Sequence, residues 1–417
     1  MKKEKIFFSS IRPVLIIAFC LSLLLLSACS PKKSNPGDNP EMYVAAYIWP
    51  SCHDEPMSRE KLWGEGIGEW EIIQKGNPRF EGHYQPRVPL WGYKMDDDPK
   101  AWEQKIDAAV SHGVNTFIFD WYWYDKKPFL EEAVDSGFLG AANNHKMKFY
   151  LMWANHDVPG NMWNHFRYKS DSLVWNGEVD WENYKVIISR VIRQYFNQPN
   201  YFRIKNEPVF SIYSTAELVQ SFNGLDETRK ALDYFRDEVK KAGFPGLHIQ
   251  LIGYDINGNP FILKPELSEG KSIGEIVSYL GINSVTMYNM AGGNARTGDY
   301  LRYGECAIRL RQKWDSMLNV PFFPCVSIGW DNTPRYPLLG KESIIYFNNT
   351  PKSFASYLQK AREFVLNHPG QTPFLVINAW NEWVEGSYLE PDMLWGYGYL
   401  EAVKNVMSGQ YDQYAGK

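Results

Sequence analysis

Apolar positions along the chain gather into eight runs of five to seven residues, at 43–49, 115–120, 148–153, 208–213, 248–253, 284–288, 322–328 and 374–379. Short runs with little polar interruption read as strands buried on both faces rather than as half-exposed strands. Between them the apolar spacing changes to three and four, which predicts amphipathic helices at 99–112, 128–143, 181–196, 227–242, 273–280, 300–317 and 351–368, with a closing helix at 396–407. Strand and helix in alternation imply an α/β fold with a parallel sheet. Eight repeats in one chain imply a (β/α)8 TIM barrel, expected as a single domain over 42–417. The links are unequal. Helix-to-strand connections are brief (113–114, 281–282, 318–321), whereas strand-to-helix connections are long (50–98, 154–180, 254–272, 289–299, 329–350). Long loops on one face place the expected site at the carboxyl ends of the strands.

The first forty residues read differently. Lys2, Lys3 and Lys5 precede an apolar run at 14–26 that ends in Leu26-Ser27-Ala28-Cys29. The run is too short for a membrane span and reads as an export signal over 1–28. Its end resembles a bacterial lipobox, which makes Cys29 the lipidated residue and 29–41 a polar tether. Ser30 after Cys29 matches lipoproteins sorted to the outer membrane. Cys20 falls within the signal, so Cys52, Cys306 and Cys325 remain; their spacing fits neither a disulfide framework nor a zinc site. Cys306 and Cys325 are expected to be small buried residues.

Composition narrows the chemistry. A net charge of −4 gives no support to a nucleic-acid partner. Phosphate-loop, metalloprotease and nucleophile-elbow spacings are absent, so neither a metal nor a cofactor is expected. The acidic triplet Asp96-Asp97-Asp98 precedes Pro99, and this pattern fits a helix cap better than a metal motif. Aromatics stand out, with 16 Trp, 26 Tyr and 23 Phe. Many must fill the core, but Trp70, Trp91, Trp123, Trp163 and Trp330 sit in polar contexts, where flat faces suit sugar rings. The expected partner is an oligosaccharide or polysaccharide, bound by a monomer. Residues at strand ends on the loop face are the candidate substrate contacts: Tyr47, Trp49, Asp120, Trp123, Trp153, Asn155, His156, Tyr288, Trp330, Asp331, Asn381 and Trp383. His53, Glu69 and His83 in the first long loop either join them or satisfy that loop's own backbone.

The run Asn378-Ala379-Trp380-Asn381-Glu382-Trp383-Val384-Glu385-Gly386 follows the last strand. Two Glu three apart diverge in a strand, but in a helical turn their Cβ atoms come within about 5–6 Å. Carboxyl groups roughly 5–5.5 Å apart serve retaining glycoside hydrolysis, and crowding pushes their pKa values apart so that one can hold a proton. A helix start with Glu favoured by the dipole is the plainer alternative.

Several blocks together carry a resemblance: Trp63-Gly64-Glu65-Gly66-Ile67-Gly68-Glu69-Trp70, Gly82-His83-Tyr84-Gln85-Pro86-Arg87, the strand end 120–124, Trp153-Ala154-Asn155, Gly329-Trp330-Asp331-Asn332-Thr333-Pro334-Arg335, and 378–390. From about residue 43 to 392 the chain resembles the WbsX-like family, a relative of glycoside hydrolase family 99, the endo-α-mannosidases and endomannanases. Family 99 has Glu-Trp-His-Glu-Gly where this chain has Glu382-Trp383-Val384-Glu385-Gly386. The resemblance implies a metal-free retaining hydrolase working through a 1,2-anhydro sugar. In that scheme Glu382 is base toward the substrate 2-hydroxyl, and Glu385 is acid and then base. It implies α-manno- or α-rhamno-configured glycans as substrates, with Val384 in place of His marking a difference in substrate or binding mode. The family name also carries a glycosyltransferase description, so transfer in surface-polysaccharide synthesis is the competing expectation, and a non-catalytic glycan-binding lipoprotein is a third.

Overall fold

Eight strands close into a barrel in the computed structural model, which describes residues 42–256, 258–290 and 296–415. The expected signal at 1–28, the expected lipidation site Cys29 and the whole tether at 29–41 lie outside the described residues. The barrel strands are β1 (Tyr43–Ile48), β2 (Thr116–Tyr124), β3 (Lys148–Trp153), β4 (Glu207–Ile212), β5 (His248–Ile256), β6 (Ser284–Met287), a seventh in two pieces (Phe322–Phe323 and Cys325–Ser327, together β7), and β8 (Phe374–Asn378). Neighbours pair in parallel in chain order from β1 to β7, and β8 returns to β1. Pro324, which has no N–H, divides β7. The first piece pairs with β6 and the second with β8, and this exchange completes the ring.

The helices outside are α1 (Pro99–Ser111), α2 (Trp181–Val191), α3 (Leu225–Lys241), α4 (Ile273–Leu280), α5 (Tyr300–Met317), α6 (Pro351–Leu366) and α7 (Gly398–Met407). Their starts follow from sequence. Asp98 caps α1 by accepting from Lys100 N, with Pro99 in the first turn, and Thr350 caps α6 ahead of Pro351. Asp96 is instead drawn inside, where its carboxylate takes the Lys105 ammonium at 2.7 Å and Cys52 N at 3.0 Å.

The expected helix at 128–143 is not formed. Asp125 and Lys126 both have positive φ (49° and 63°), so the chain reverses in a two-residue turn of type I′ character. Lys127–Phe129 then pairs antiparallel with the end of β2, and a π-helical turn, Ala133–Phe138, stands in the helix position. The same hairpin extends β2 four residues past Asp120, leaving Asp120 opposite Met152 inside the sheet rather than at a strand end. Cys306 also differs from expectation. It lies on the outward side of α5 and is exposed, while Cys52 and Cys325 are buried.

Aromatic side chains pack both surfaces of the barrel wall. Trp102 of α1 lies among Phe117, Phe119 and Phe138 outside β2, whereas Tyr150 fills the interior and donates to Gln250 at 3.0 Å. Gly304 of α5 shows how close this packing is, since a Cβ there would fall 2.1 Å from the Tyr357 ring of α6. Gly304→Ala should therefore destabilise the fold by about 1–3 kcal/mol, exceeding the roughly 1 kcal/mol that Ala gains over Gly in a helix. Urea unfolding would measure it, and a variant as stable as the parent would show that α5 and α6 can separate at no cost.

Candidate active site

The segment after β8 is a tight hairpin. Asn381–Glu382 pairs antiparallel with Ser387–Tyr388, and between them Trp383–Glu385 forms a single 3-10 turn. In that geometry positions three apart eclipse, so Glu382 and Glu385 project on one side. Gly386 closes the turn at φ 62°, and a Cβ there would lie 2.9 Å from Arg87 Nη2. A side chain is excluded both by the backbone conformation and by this neighbour.

The hairpin is fixed from beneath. Trp380 and Trp383 donate their indole N–H groups to the two oxygens of Glu390, at 3.0 and 2.7 Å. Glu390 in turn pairs with buried Lys105 at 2.9 Å, tying the hairpin to α1 and Asp96. Asn381 exchanges two 2.8 Å hydrogen bonds with the Trp49 backbone. Neither amide atom is left for a ligand, so Asn381 registers β1 against the hairpin. Trp383, stacked at 3.7 Å on Tyr388, is likewise structural.

Four buried carboxyl groups converge above the barrel: Glu69, Asp120, Glu382 and Glu385. The Tyr288 hydroxyl bridges Asp120 Oδ2 at 2.8 Å and Glu382 Oε1 at 2.7 Å. Arg335 Nη1 donates to Glu385 Oε1 at 2.6 Å, and its Nη2 lies 3.5 Å from Glu69 Oε1. Glu69 also accepts from the Trp49 indole and from Ser51 Oγ. Glu382 Oε2, Glu385 Oε2 and Asp120 Oδ1 are buried without a partner. Each catalytic candidate thus has one oxygen anchored and one free.

Electrostatics follow from this crowding. Burial, then the charge of Glu385, pushes the Glu382 carboxyl well above its ordinary range, against the pull of Arg335 and Tyr288. Burial also raises Glu385, opposed by Arg335. Asp120 is raised well above its ordinary value by burial and by Glu385, with Tyr288 opposing. Glu69 is raised by burial. His156 is lowered by burial and donates Nδ1–H to the Asp157 carbonyl at 2.9 Å.

Glu382, Glu385, Asp120 and Tyr288 line a cavity of about 70 Å³ with Arg335, Trp49, Tyr122, Met152, Ala154, His156, Tyr213, Met162 and Trp163. Ligand pockets usually measure roughly 300–1,000 Å³. Met162 and Trp163, from the short helix Gly160–Trp163, form one wall of this narrow space. A larger cleft of about 650 Å³ beside α5, lined by Arg302, Arg309 and Lys313, contains none of the carboxyl cluster. Among the described residues no group of three His, Cys, Asp or Glu is placed to hold a metal ion.

The candidates from sequence thus separate. Trp49, Asp120, His156, Tyr288, Glu382 and Glu385 meet at the cavity, and Glu69 stands behind it. Asp331 does not join them. Its two oxygens are taken by His83, Gln85 and Arg87 (2.9, 2.7 and 3.1 Å) and by Thr333 N and Oγ1 (3.1 and 2.7 Å), leaving nothing for a sugar hydroxyl. Burial opposes ionisation of Asp331, but the His83 and Arg87 contacts win and hold it well below its usual range. His83 is occupied at both nitrogens, since Arg79 N donates to Nδ1. Asn155 spends its amide on the Ser214 backbone. Tyr47 donates to the Met287 carbonyl inside the barrel. His53 is fully buried with both ring nitrogens unpartnered and is not a wall of the cavity. Trp123 stacks on Trp121, Trp153 packs on Tyr184, and Trp330 lies outside the cavity wall. Of the five tryptophans in polar contexts, only Trp163 reaches the cavity. Arg335, Tyr122 and Tyr213 were not singled out from sequence. Arg335 closes a recognisable block, and the need for a cation among so many acids was the available signal.

Acids with raised folded pKa values hold protons more tightly folded than unfolded. Their contribution is complete below the ordinary carboxylate range, near pH 4, and is lost as pH rises toward the raised values. Unfolding free energy should therefore fall from mildly acid to neutral pH. Glu382→Gln should reduce that slope and raise neutral-pH stability by on the order of 1 kcal/mol. Urea titrations at several pH values test this, and a less stable Glu382→Gln would mean the carboxylate supports the fold.

Comparison with known proteins agrees with this architecture. Two structures of an endo-alpha-mannosidase of glycoside hydrolase family 99 from Bacteroides thetaiotaomicron superpose with TM-scores of 0.55 and 0.51, each at 14% identity, covering 90% of this chain and 99% of theirs. A structure described as a glycoside hydrolase-like protein gives a TM-score of 0.57 at 13% identity, covering 88% of this chain and 94% of its own. At such identities the likeness is one of fold. Protein WxcX of Xanthomonas campestris pv. campestris, itself uncharacterized, is 26% identical over 391 residues, covering 89% of this chain. The chain spans about half the length of the curated relatives it matches. The sequence profile described as glycosyltransferase WbsX matches residues 44–403. The chain belongs to the WbsX family.

Proposed function

We propose that the protein is a retaining glycoside hydrolase acting on α-linked manno- or rhamno-configured glycans through Glu382 and Glu385. One observation carries this reading: the two carboxyls rise from a single turn at the barrel's carboxyl end and line the same cavity, each anchored by one oxygen with the other buried and unpartnered. The fold shared with family 99 structures adds support.

In the proposed reaction Glu382 Oε2 takes the proton of the substrate 2-hydroxyl, whose oxygen attacks the anomeric carbon. The bond to the leaving oxygen breaks as that oxygen receives the proton of Glu385. Arg335 holds Glu385 Oε1 as an acceptor, which leaves Oε2 to carry the proton, and it then stabilises the resulting carboxylate. Water, deprotonated by Glu385, opens the 1,2-anhydro ring, and Glu382 returns its proton to O2. Tyr122, Tyr213 and Trp163 supply the aromatic walls against which a ring would pack.

The family's description favours a second reading, transfer from a nucleotide- or lipid-linked sugar donor. Product release from α-mannans and rhamnose-containing polysaccharides distinguishes the two. Hydrolysis needs no donor, and Glu382→Gln and Glu385→Gln should each lower it by at least about 100-fold. Glu385→Gln should spare aryl glycosides with good leaving groups more than native linkages, and equal loss on both would count against its role as the acid. Product formed only when an activated donor is added would establish transfer. The cellular site belongs to the same proposal: export and lipid anchoring at Cys29 to the outer membrane, supported by Leu26-Ser27-Ala28-Cys29. Incorporation of labelled fatty acid that persists in Cys29→Ser would overturn it.

A further inference from the structure

Tyr288 makes two contacts that cannot both be ordinary hydrogen bonds to carboxylate anions. Its hydroxyl carries one proton, yet it lies 2.8 Å from Asp120 Oδ2 and 2.7 Å from Glu382 Oε1. Both separations are those of full O–H···O bonds, shorter than one proton shared between two acceptors would give. If both acids were ionised, one contact would set lone pair against lone pair. A second proton therefore belongs to this chain of oxygens, on Asp120 or on Glu382.

The surroundings of the two acids decide which. Asp120 lies within the barrel wall opposite Met152, with Oδ1 buried and unpartnered, and it forms no ion pair among the described residues. The groups facing it are Tyr288 from the end of β6, Tyr122 two residues along its own strand, Tyr213 after β4, His156 after β3, and Glu382 and Glu385 from the hairpin. Of these only His156 could carry a positive charge, and burial opposes it; Arg335 shares the cavity but spends its contacts on Glu385 and Glu69. Burial and Glu385 raise Glu382 as well, but it lies within the influence of the Arg335 guanidinium, which favours its anion and has no counterpart among the groups acting on Asp120. Burial without a cation, by contrast, leaves Asp120 strongly favouring its acid form.

We infer that Asp120 is held as the neutral carboxylic acid and donates to Tyr288, which donates to Glu382 Oε1, so that Asp120 and Tyr288 are positioning residues that keep Glu382 ionised with Oε2 as its proton-accepting atom. The inference rests on the proposed role of Glu382 as base. No net proton leaves the relay during turnover. Asp120 stays neutral, the Tyr288 proton stays on its oxygen, and the proton taken from the substrate resides on Glu382 Oε2 until it is returned. The arrangement explains an aspartic acid in a dry barrel wall, where a carboxylate would be costly. It also explains why the hydroxyl comes from tyrosine, whose reach spans from β6 to both acids.

Two measurements test it, one of them independent of catalysis. Infrared difference spectra at neutral pH, wild type minus Asp120→Asn, should contain the C=O stretch of a protonated carboxylic acid, whether or not any glycan is cleaved. A difference containing only carboxylate bands would overturn the relay. The second is the acid limb of the kcat/KM–pH profile. Asp120→Leu and Tyr288→Phe, which each break the chain of donors, should lower kcat by about 100-fold and move that limb to higher pH. Asp120→Asn still donates an N–H to Tyr288, so it should recover most of the loss and return the limb toward the wild-type position. Asp120→Asn as impaired as Asp120→Leu, with an unmoved limb, would mean that the aspartate acts as an anion and the inference is wrong. Should the wild type release no product from any glycan, the hydrolase reading fails, and the infrared result still decides the state of Asp120.

Discussion

One guanidinium stands among four buried carboxyl groups. Arg335 touches Glu385, comes within 3.5 Å of Glu69, and biases Glu382. A single positive charge cannot neutralise four buried anions, so ionisation of all four at once is strongly disfavoured. Which acids are favoured to hold protons is set by geometry. Tyr288 connects Asp120 to Glu382 on one side, and Arg335 connects Glu69 to Glu385 on the other. A turn only three residues long brings the two systems together without merging them. Arg335 contacts Glu385 directly and reaches Glu382 only through space, while Tyr288 donates to Glu382, so the two carboxyls of the turn lie in unequal surroundings.

Such a cluster works against folding, and the rest of the hairpin is built to withstand it. Glu390, Lys105 and Asp96 form a buried, charge-compensated column, and two tryptophan indoles hang from its upper carboxylate. Asp331 does similar work on the other flank, gathering His83, Gln85 and Arg87 from the first loop, while its own N–H donates to the Glu385 carbonyl at 2.6 Å. These carboxyl groups have every oxygen satisfied, whereas the acids lining the cavity each keep one bare. The contrast between saturated and unsaturated carboxylates separates support from chemistry here more clearly than burial does, since both kinds are buried.

The sequence made the barrel legible because its strands are continuous apolar runs and its helices carry caps such as Asp98-Pro99 and Thr350-Pro351. It concealed the β2 hairpin because Asp125-Lys126 adopts positive φ without the Asn-Gly or Asp-Gly signature of such turns. Glu382 and Glu385 stood out through their spacing after a buried strand together with the family resemblance, and the structure brings both to one cavity. Asp331, His83 and Asn155 have the same chemical types at similar loop positions, yet their hydrogen bonds are spent within the protein, and no one-dimensional pattern records which lone pairs are already taken. The aromatic excess misled for a related reason: most of the tryptophans found a packing partner in the wall and only a few were left facing the cavity.

The small volume above Glu382 and Glu385 bears on how affinity would be distributed over a long ligand. When the competent state is a fraction of the ensemble, apparent affinity is the intrinsic affinity scaled by that fraction. On the proposed reading, a lone sugar that needs Met162 and Trp163 to move aside would have to displace them using only the contacts of one ring. A chain whose neighbouring residues engage the surface beyond Trp163 could hold the wall aside with those contacts. Length of the glycan would then join the identity of the ring at the scissile bond in governing binding, a selectivity set by the narrowness of the space rather than by any one side chain.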